Sequence, residues 1–294
     1  ATSGFTAATS QDTDVNVTIT GTDANVTQLN AIASAAGGTV TASISITASE
    51  TLTTLTTDAI TITVTDAASV SEFNALDSNT STDIILSGGL SDTALSMMST
   101  GGVATSGFTA ATSQDTDVNV TITGTDANVT QLNAIASAAG GTVTASISIT
   151  ASETLTTLTT DAITITVTDA ASVSEFNALD SNTSTDIILS GGLSDTALSM
   201  MSTGGSATSG FTAATSQDTD VNVTITGTDA NVTQLNAIAS AAGGTVTASI
   251  SITASETLTT LTTDAITITV TDAASVSEFN ALDSNTSTDI ILSG

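Results

Sequence analysis

Lysine, arginine, histidine, cysteine, proline, tryptophan and tyrosine are all missing from this chain of 294 residues. The formal charge is −29, with no basic side chain to offset it. Proteins hold phosphate backbones and anionic lipid heads with Lys and Arg, whose binding releases counterions. Nucleic-acid binding is therefore not expected. Divalent cations and basic partners are what such a surface attracts. Without His or Cys, zinc, haem and iron–sulfur centres lose their usual ligands. Without His or Lys, a serine nucleophile lacks its common activators. A carboxylate pair could in principle run acid–base chemistry. Caps, turns and solvated faces already account for these Asp residues, so the chain does not read as an enzyme and no catalytic residue stands out.

With no cysteine, disulfides are excluded and redox compartment cannot be read from the sequence. No signal peptide is legible. No apolar run approaches the roughly 18 residues of a membrane span, so membrane insertion is not expected. Yet this is not a disordered acidic tail. Charged residues make up only 10%, hydrophobic residues 39%, and mean hydropathy is +0.34, whereas disorder pairs low hydrophobicity with high charge. Aromatic residues contribute 2%, which points to a thin, regular core.

What is present is one sequence written almost three times. ATSGFTAATSQDTDVNVTIT begins at Ala1, Ala104 and Ala207, a period of 103 residues. The single mismatch is Val103 against Ser206. Long-period self-similarity marks arrays. The copies run 1–103, 104–206 and 207–294, and are expected to form one continuous solenoid. The third copy stops at DIILSG where the others continue GLSDTALSMMSTGG, so the chain is expected to be a section of a longer protein.

A shorter rhythm runs inside each copy. Strand-like segments recur about every 20 residues: Val15–Thr20, Val40–Ile46, Ile60–Thr65, Asp83–Ser87 and a weaker one near Val103–Phe108. Most alternate a β-branched apolar residue with Thr or Ser, the period of a half-buried strand. Val17, Ile19, Ile44, Ile46, Ile62 and Val64 should face inward. Between strands the spacing changes to three or four. Asn25/Gln28, Thr47/Glu50 and Ser69/Glu72 have capping-box spacing. Leu29, Leu52, Leu55, Phe73 and Leu76 should line helix faces, as should Leu95 and Met98 after Ser91. Gly37-Gly38 and Gly101-Gly102 suit helix stops.

The pattern predicts a repeat solenoid of parallel strand–short helix coils, about five per copy, each burying its neighbour's apolar face. The alternative is a tandem array of immunoglobulin-like β-sandwiches, which have a similar repeat length.

Asp12, Asp14, Asp77 and Asn79, with their equivalents in the other copies, are the candidate metal ligands. Their oxygens suit calcium, a hard cation that takes six to eight such ligands; otherwise they serve turns and caps. Asn16, Asn25 and Asn79 match the glycosylation acceptor pattern. The outward Thr18/Thr20 and Thr61/Thr63/Thr65 steps have the spacing of a threonine ladder of the ice-binding kind, interrupted by Ile85. Thr also simply favours exposed strand positions.

The run TITVTDAASVSEFNALDSNTSTDIILSGGLSDTALSMM, residues 61–98, resembles Ala/Thr/Asp-rich repeats of giant secreted or cell-surface proteins. Those of cyanobacteria and other Gram-negative bacteria are most similar. The resemblance implies surface layers, filaments, sheaths or adhesin stalks. The expected function is a structural module of an extracellular fibre, sheath or surface layer that contacts copies of itself. The alternative is a stalk or binding region of a calcium-dependent adhesin that grips glycan, a partner or ice.

Overall fold

The computed structural model describes residues 3–45, 60–78, 80, 82–148, 163–181, 183–251, 266–284 and 288–294. Ile46, Leu52, Leu55, the Thr47/Glu50 pair and Asn79 lie outside the described residues. The chain divides into two compact units, Ala1–Ala145 with Asp161–Ile163, and Ser146–Thr160 with Thr164–Gly294.

The first unit runs α1 (Ser3–Gln11), β1 (Val17–Ile19), α2 (Val26–Ala35), β2 (Val40–Ile44), β3 (Ile60–Val64) and α3 (Val70–Asp77). It continues with β4 (Ile84–Leu86), β5 (Leu90–Thr93), α4 (Ala94–Met97), α5 (Ser106–Gln114), β6 (Val120–Thr123), α6 (Val129–Ala138) and β7, which begins at Val143 and is assigned as Val143–Ile147. The second unit repeats the pattern from β8 (Ile163–Val167), α7 (Val173–Asp180), β9 (Ile187–Leu189), β10 (Leu193–Thr196) and α8 (Ala197–Met200). It ends with α9 (Ser209–Gln217), β11 (Val223–Thr226), α10 (Val232–Ala241), β12 (Val246–Ile250), β13 (Ile266–Val270), α11 (Val276–Asp283) and β14 (Ile290–Leu292).

Alternation makes the strands. Val40, Ala42 and Ile44 of β2 are buried while Thr41 and Ser43 between them are half-exposed, and β3 repeats this with Ile60, Ile62 and Val64. The apolar set therefore faces the core and the Thr/Ser set faces outward. Capping starts the helices. The Asn25 side chain accepts from the Gln28 amide and the Gln28 side chain accepts from the Asn25 amide; Ser69 and Glu72 do the same for α3. Each helix then buries a narrow stripe: Leu29 in α2, Val70, Phe73 and Leu76 in α3.

The strands stack in parallel and in chain order. In the first unit the order is β1-β2-β3-β4, then β5-β6-β7, with Val17, Val40 and Ile60 in one row and Val64 beside Leu86. In the second unit β8 pairs with β9, and β10 to β14 stack in order. All these pairs are parallel. A tandem immunoglobulin-like sandwich needs antiparallel sheets, so that alternative does not fit the described residues.

Two expected boundaries are corrected. The fifth strand is not near Val103–Phe108 but at Leu90–Thr93, and Ser106–Gln114 is helical. The Thr105 hydroxyl accepts from the Phe108 amide, so the segment is capped as a helix, and Phe108 and Ala111 bury one stripe. The short alternation in VATSGF was outweighed by this cap and by the spacing of three between Phe108 and Ala111. Similarly, the segment after β4 begins its helix at Ala94, capped by Thr93 rather than Ser91. Ala94, Met97 and Met98 are buried, whereas Leu95 is 64% exposed.

Ser87, Gly88 and Gly89 alone separate β4 from β5. Gly89 has φ +81°, a left-handed conformation that side chains disfavour. This corner hands the ladder on: Ala68, just past β3, bridges Leu90, and Leu90 pairs with Val120. α2 ends at Ala35 with Ala36 as its cap, so Gly37 does follow a helix stop, though without a positive φ. A Cβ there would lie 1.6 Å from the Thr13 carbonyl oxygen, so the residue permits a backbone crossing.

Ile62, Ile165 and Ile268 are fully buried. Replacing all three by Asp should cost roughly 3–5 kcal/mol per site by burying an unpaired charge. Circular dichroism and thermal melting check this, and an unchanged melt would show that these side chains do not face the core.

Candidate functional site

A sheet that stops leaves backbone amides on its last edge, and β4 is such an edge. On one side it pairs with β3. On the other, the Ile84 amide donates to Gln114 Oε1 at 2.9 Å and the Leu86 amide to Asp115 Oδ2 at 2.6 Å. Both acceptors come from the next sequence copy, at the end of α5. Gln114 also donates through Nε2 to Asp77 Oδ1 at the end of α3. One polar chain thus ties Asp77, Gln114 and the β4 edge together, and α3 packs on α5 beside it. The second unit repeats it: Ile187 donates to Gln217, Leu189 to Asp218, and Gln217 to Asp180.

A second set of contacts also joins one copy to the next. Gln131 Oε1 accepts from the Asn128 amide, completing the cap of α6, while its Nε2 donates to the Met98 carbonyl at 3.0 Å. Asn128 Nδ2 donates to the Thr100 carbonyl. Gln234 and Asn231 do the same with Met201 and Thr203.

These contacts place the expected metal ligands. Asp12 and Asp14 share the turn after α1, where the Asp14 amide donates to Asp12 Oδ1 at 3.2 Å. Asp77 is joined to the next copy through Gln114 and does not meet Asp12 or Asp14 in a carboxylate cluster. Asn79 lies outside the described residues. Among the described residues, no three or more Asp, Glu, His or Cys side chains group as a metal site. The edge-capping role of Asp115 and Asp218, equivalents of Asp12, was not legible in sequence. The residues that accept from β4 lie about 30 positions away, and only folding brings them there.

The same aspartate titrates in opposite directions in different copies. In copy one, Asp12 is exposed, and hydrogen bonds from the Asp14 side chain and amide hold its carboxyl below the ordinary value of 3.8. Asp115 and Asp218 are only 8% exposed. Burial pushes their carboxyls above that value, outweighing the amide of Leu86 or Leu189.

Two of the other candidate positions are engaged in structure. Asn16 Oδ1 accepts from the amide and hydroxyl of Thr39, and Asn25 caps α2. Outward Thr side chains do form rows, with Thr18 beside Thr41 and Thr41 beside Thr61. Thr63 pairs with exposed Ile85, which breaks the second row. Among the described residues, no helix is long and apolar enough to cross a membrane. No family model matches the chain, and neither a curated protein nor a solved structure matches it.

The β4 edge generates two testable outcomes. Gln114→Leu with Gln217→Leu leaves the Ile84 and Ile187 amides without those acceptors and should lower stability by about 1–3 kcal/mol per site, read by urea unfolding. The raised carboxyls of Asp115 and Asp218 bind protons more readily folded than unfolded. Their contribution is therefore full below the unfolded value and lost as pH rises through the higher folded one. Melting temperature should rise as pH falls from neutral toward 3.8. Asp115→Asn with Asp218→Asn, which keeps an acceptor oxygen, should give a shallower rise over the same window.

Proposed function

We propose that the chain is a structural module of an extracellular fibre, sheath or surface layer, in which identical sequence copies make identical neighbour contacts. What supports this is the repetition of the junction: Gln114 and Asp115 cap β4 in one unit as Gln217 and Asp218 cap β9 in the other. A contact written into each copy can be made again by any further copy. Repeated heterologous contacts of this kind give open assemblies rather than closed ones.

In this reading each unit is a segment of an α/β solenoid, consistent with parallel strands stacked in chain order. The reading is non-catalytic, in keeping with the absence of His, Lys and Cys. Calcium enters as a bridge between exposed carboxylates such as Asp12 and Asp14 on neighbouring molecules, relieving the repulsion among 29 acidic side chains.

Electron microscopy of the purified chain should show filaments or sheets. Uniform single particles at every concentration, with or without calcium, would exclude self-assembly and favour the adhesin-stalk alternative. Filament length and melting temperature should fall on adding EDTA at low salt and recover with calcium. Sodium at matched ionic strength screens charge without bridging, and equal recovery by sodium would remove calcium from the reading.

A further inference from the structure

Each copy carries two Asn-Val-Thr acceptor sites within the described residues, and the fold treats them differently. Asn16, Asn119 and Asn222 stand just before the first residues of β1, β6 and β11. All three are exposed, as are Thr18, Thr121 and Thr224 two places on. Asn25, Asn128 and Asn231 are instead the N-caps of α2, α6 and α10. An Asp stands two places before the Asn at both kinds of site, Asp14 and Asp23 in copy one. The local sequence is therefore alike at the two sites, and the fold is what separates them.

At the strand site the side chain is held by its oxygen. Asn119 Oδ1 accepts from the Thr142 amide and hydroxyl, both at 2.9 Å, and Asn222 Oδ1 does the same with Thr245. Asn16 accepts from Thr39 in the same way. A backbone amide can only donate, so the atom it meets is the oxygen, and Nδ2 is thereby placed. Glycine makes room for this seat. A Cβ at Gly141 would lie 2.5 Å from Asn119 Oδ1, and one at Gly244 2.6 Å from Asn222 Oδ1. Among the described residues, Nδ2 of Asn16, Asn119 and Asn222 makes no hydrogen bond. At the helix site both atoms are in use. Asn128 is half-buried; its Oδ1 accepts from the Gln131 amide and its Nδ2 donates to the Thr100 carbonyl. Asn231 repeats this with Gln234 and Thr203.

We propose that Asn16, Asn119 and Asn222 are N-glycosylation sites of the folded chain, modified in preference to the helix caps Asn128 and Asn231. A separate transferase brings a glycosyl diphosphate donor. Nδ2 attacks C1 of the sugar; the C1–O bond breaks and the Nδ2–C1 bond forms. The diphosphate leaves with the bonding pair, Nδ2 gives one proton to a base of the transferase, and nothing is oxidised or reduced. The product keeps the side-chain carbonyl, so Asn119 Oδ1 still accepts from Thr142. Alternation puts Asn119 on the same outward face as Thr121, so the sugar extends from the Thr/Ser face of the sheet and leaves the core untouched. At Asn128 a sugar would have to fit between α6 and the Thr100 carbonyl. The inference rests on export of the chain, part of the reading above, and not on its self-assembly.

The test takes the chain from the cells that make it and digests it with a protease that cuts before Asp. The strand site then lies on DVNVTITGT, residues 14–22, 117–125 and 220–228, and the helix site on the peptides 23–57, 126–160 and 229–263. Tandem mass spectrometry compares sugar occupancy on the two. The expected result is a glycan on DVNVTITGT at higher occupancy than on the helix-site peptide. Thr18→Val with Thr121→Val and Thr224→Val, made in the same cells, removes the hydroxyl that the acceptor pattern requires. Sugar on the strand-site peptide should fall to background, and circular dichroism should match the parent because these Thr residues are exposed. A bare DVNVTITGT peptide, equal or higher occupancy at the helix site, or sugar that persists in the Val variant would overturn the proposal. Filaments built from an unglycosylated chain would overturn this site alone, and a glycan without filaments would leave it standing.

Discussion

Each parallel strand in this chain has two edges of backbone amides and carbonyls, and the fold is organised by what satisfies them. Buried backbone groups left unpaired are costly. Along β1 to β4 the neighbouring strand does the work. At the outer edge of β4 the work passes to side chains, Gln114 and Asp115, sent back from the following copy. The constraint explains a carboxylate that is nearly buried with no cation anywhere in the chain. Asp115 is needed there as an acceptor, and burial raises its affinity for a proton.

The same constraint joins the copies. The Gly88-Gly89 corner ends one strand and starts the next within three residues, and the ladder is taken up by Ala68, Leu90 and Val120. Gln131 then serves two purposes with one amide group, its oxygen on the α6 cap and its nitrogen on Met98. In copy one Gln28 makes the oxygen half of this arrangement, accepting from the Asn25 amide at the start of α2.

Acidity without cations also has a local order. Glu72 accepts from the Ser69 amide, Asp92 from the Val70 and Thr93 amides, and Asp115 from the Leu86 amide. Amides at helix starts and sheet edges are the positive ends available in a chain with no Lys or Arg. They use the acidic side chains as caps.

The alternation of Val and Ile with Thr determined the strands at β2 and β3 and their inward faces, and the Asn25 and Ser69 caps determined where α2 and α3 start. Those are local rules: side-chain direction has period two in a strand, and a cap needs only the next three residues of its own helix. What only the tertiary structure decided is where local signals compete or are silent. VATSGF reads weakly as a strand, but the Thr105 cap and the burial of Phe108 and Ala111 make Ser106–Gln114 a helix. LSDT reads as the start of a helix, but the open ladder beside Val120 makes it a strand. Asp12 and Asp115 are the same residue in the same sequence, one exposed and one buried. No local rule separates them, because the difference is whether another copy's strand edge lies against the carboxylate.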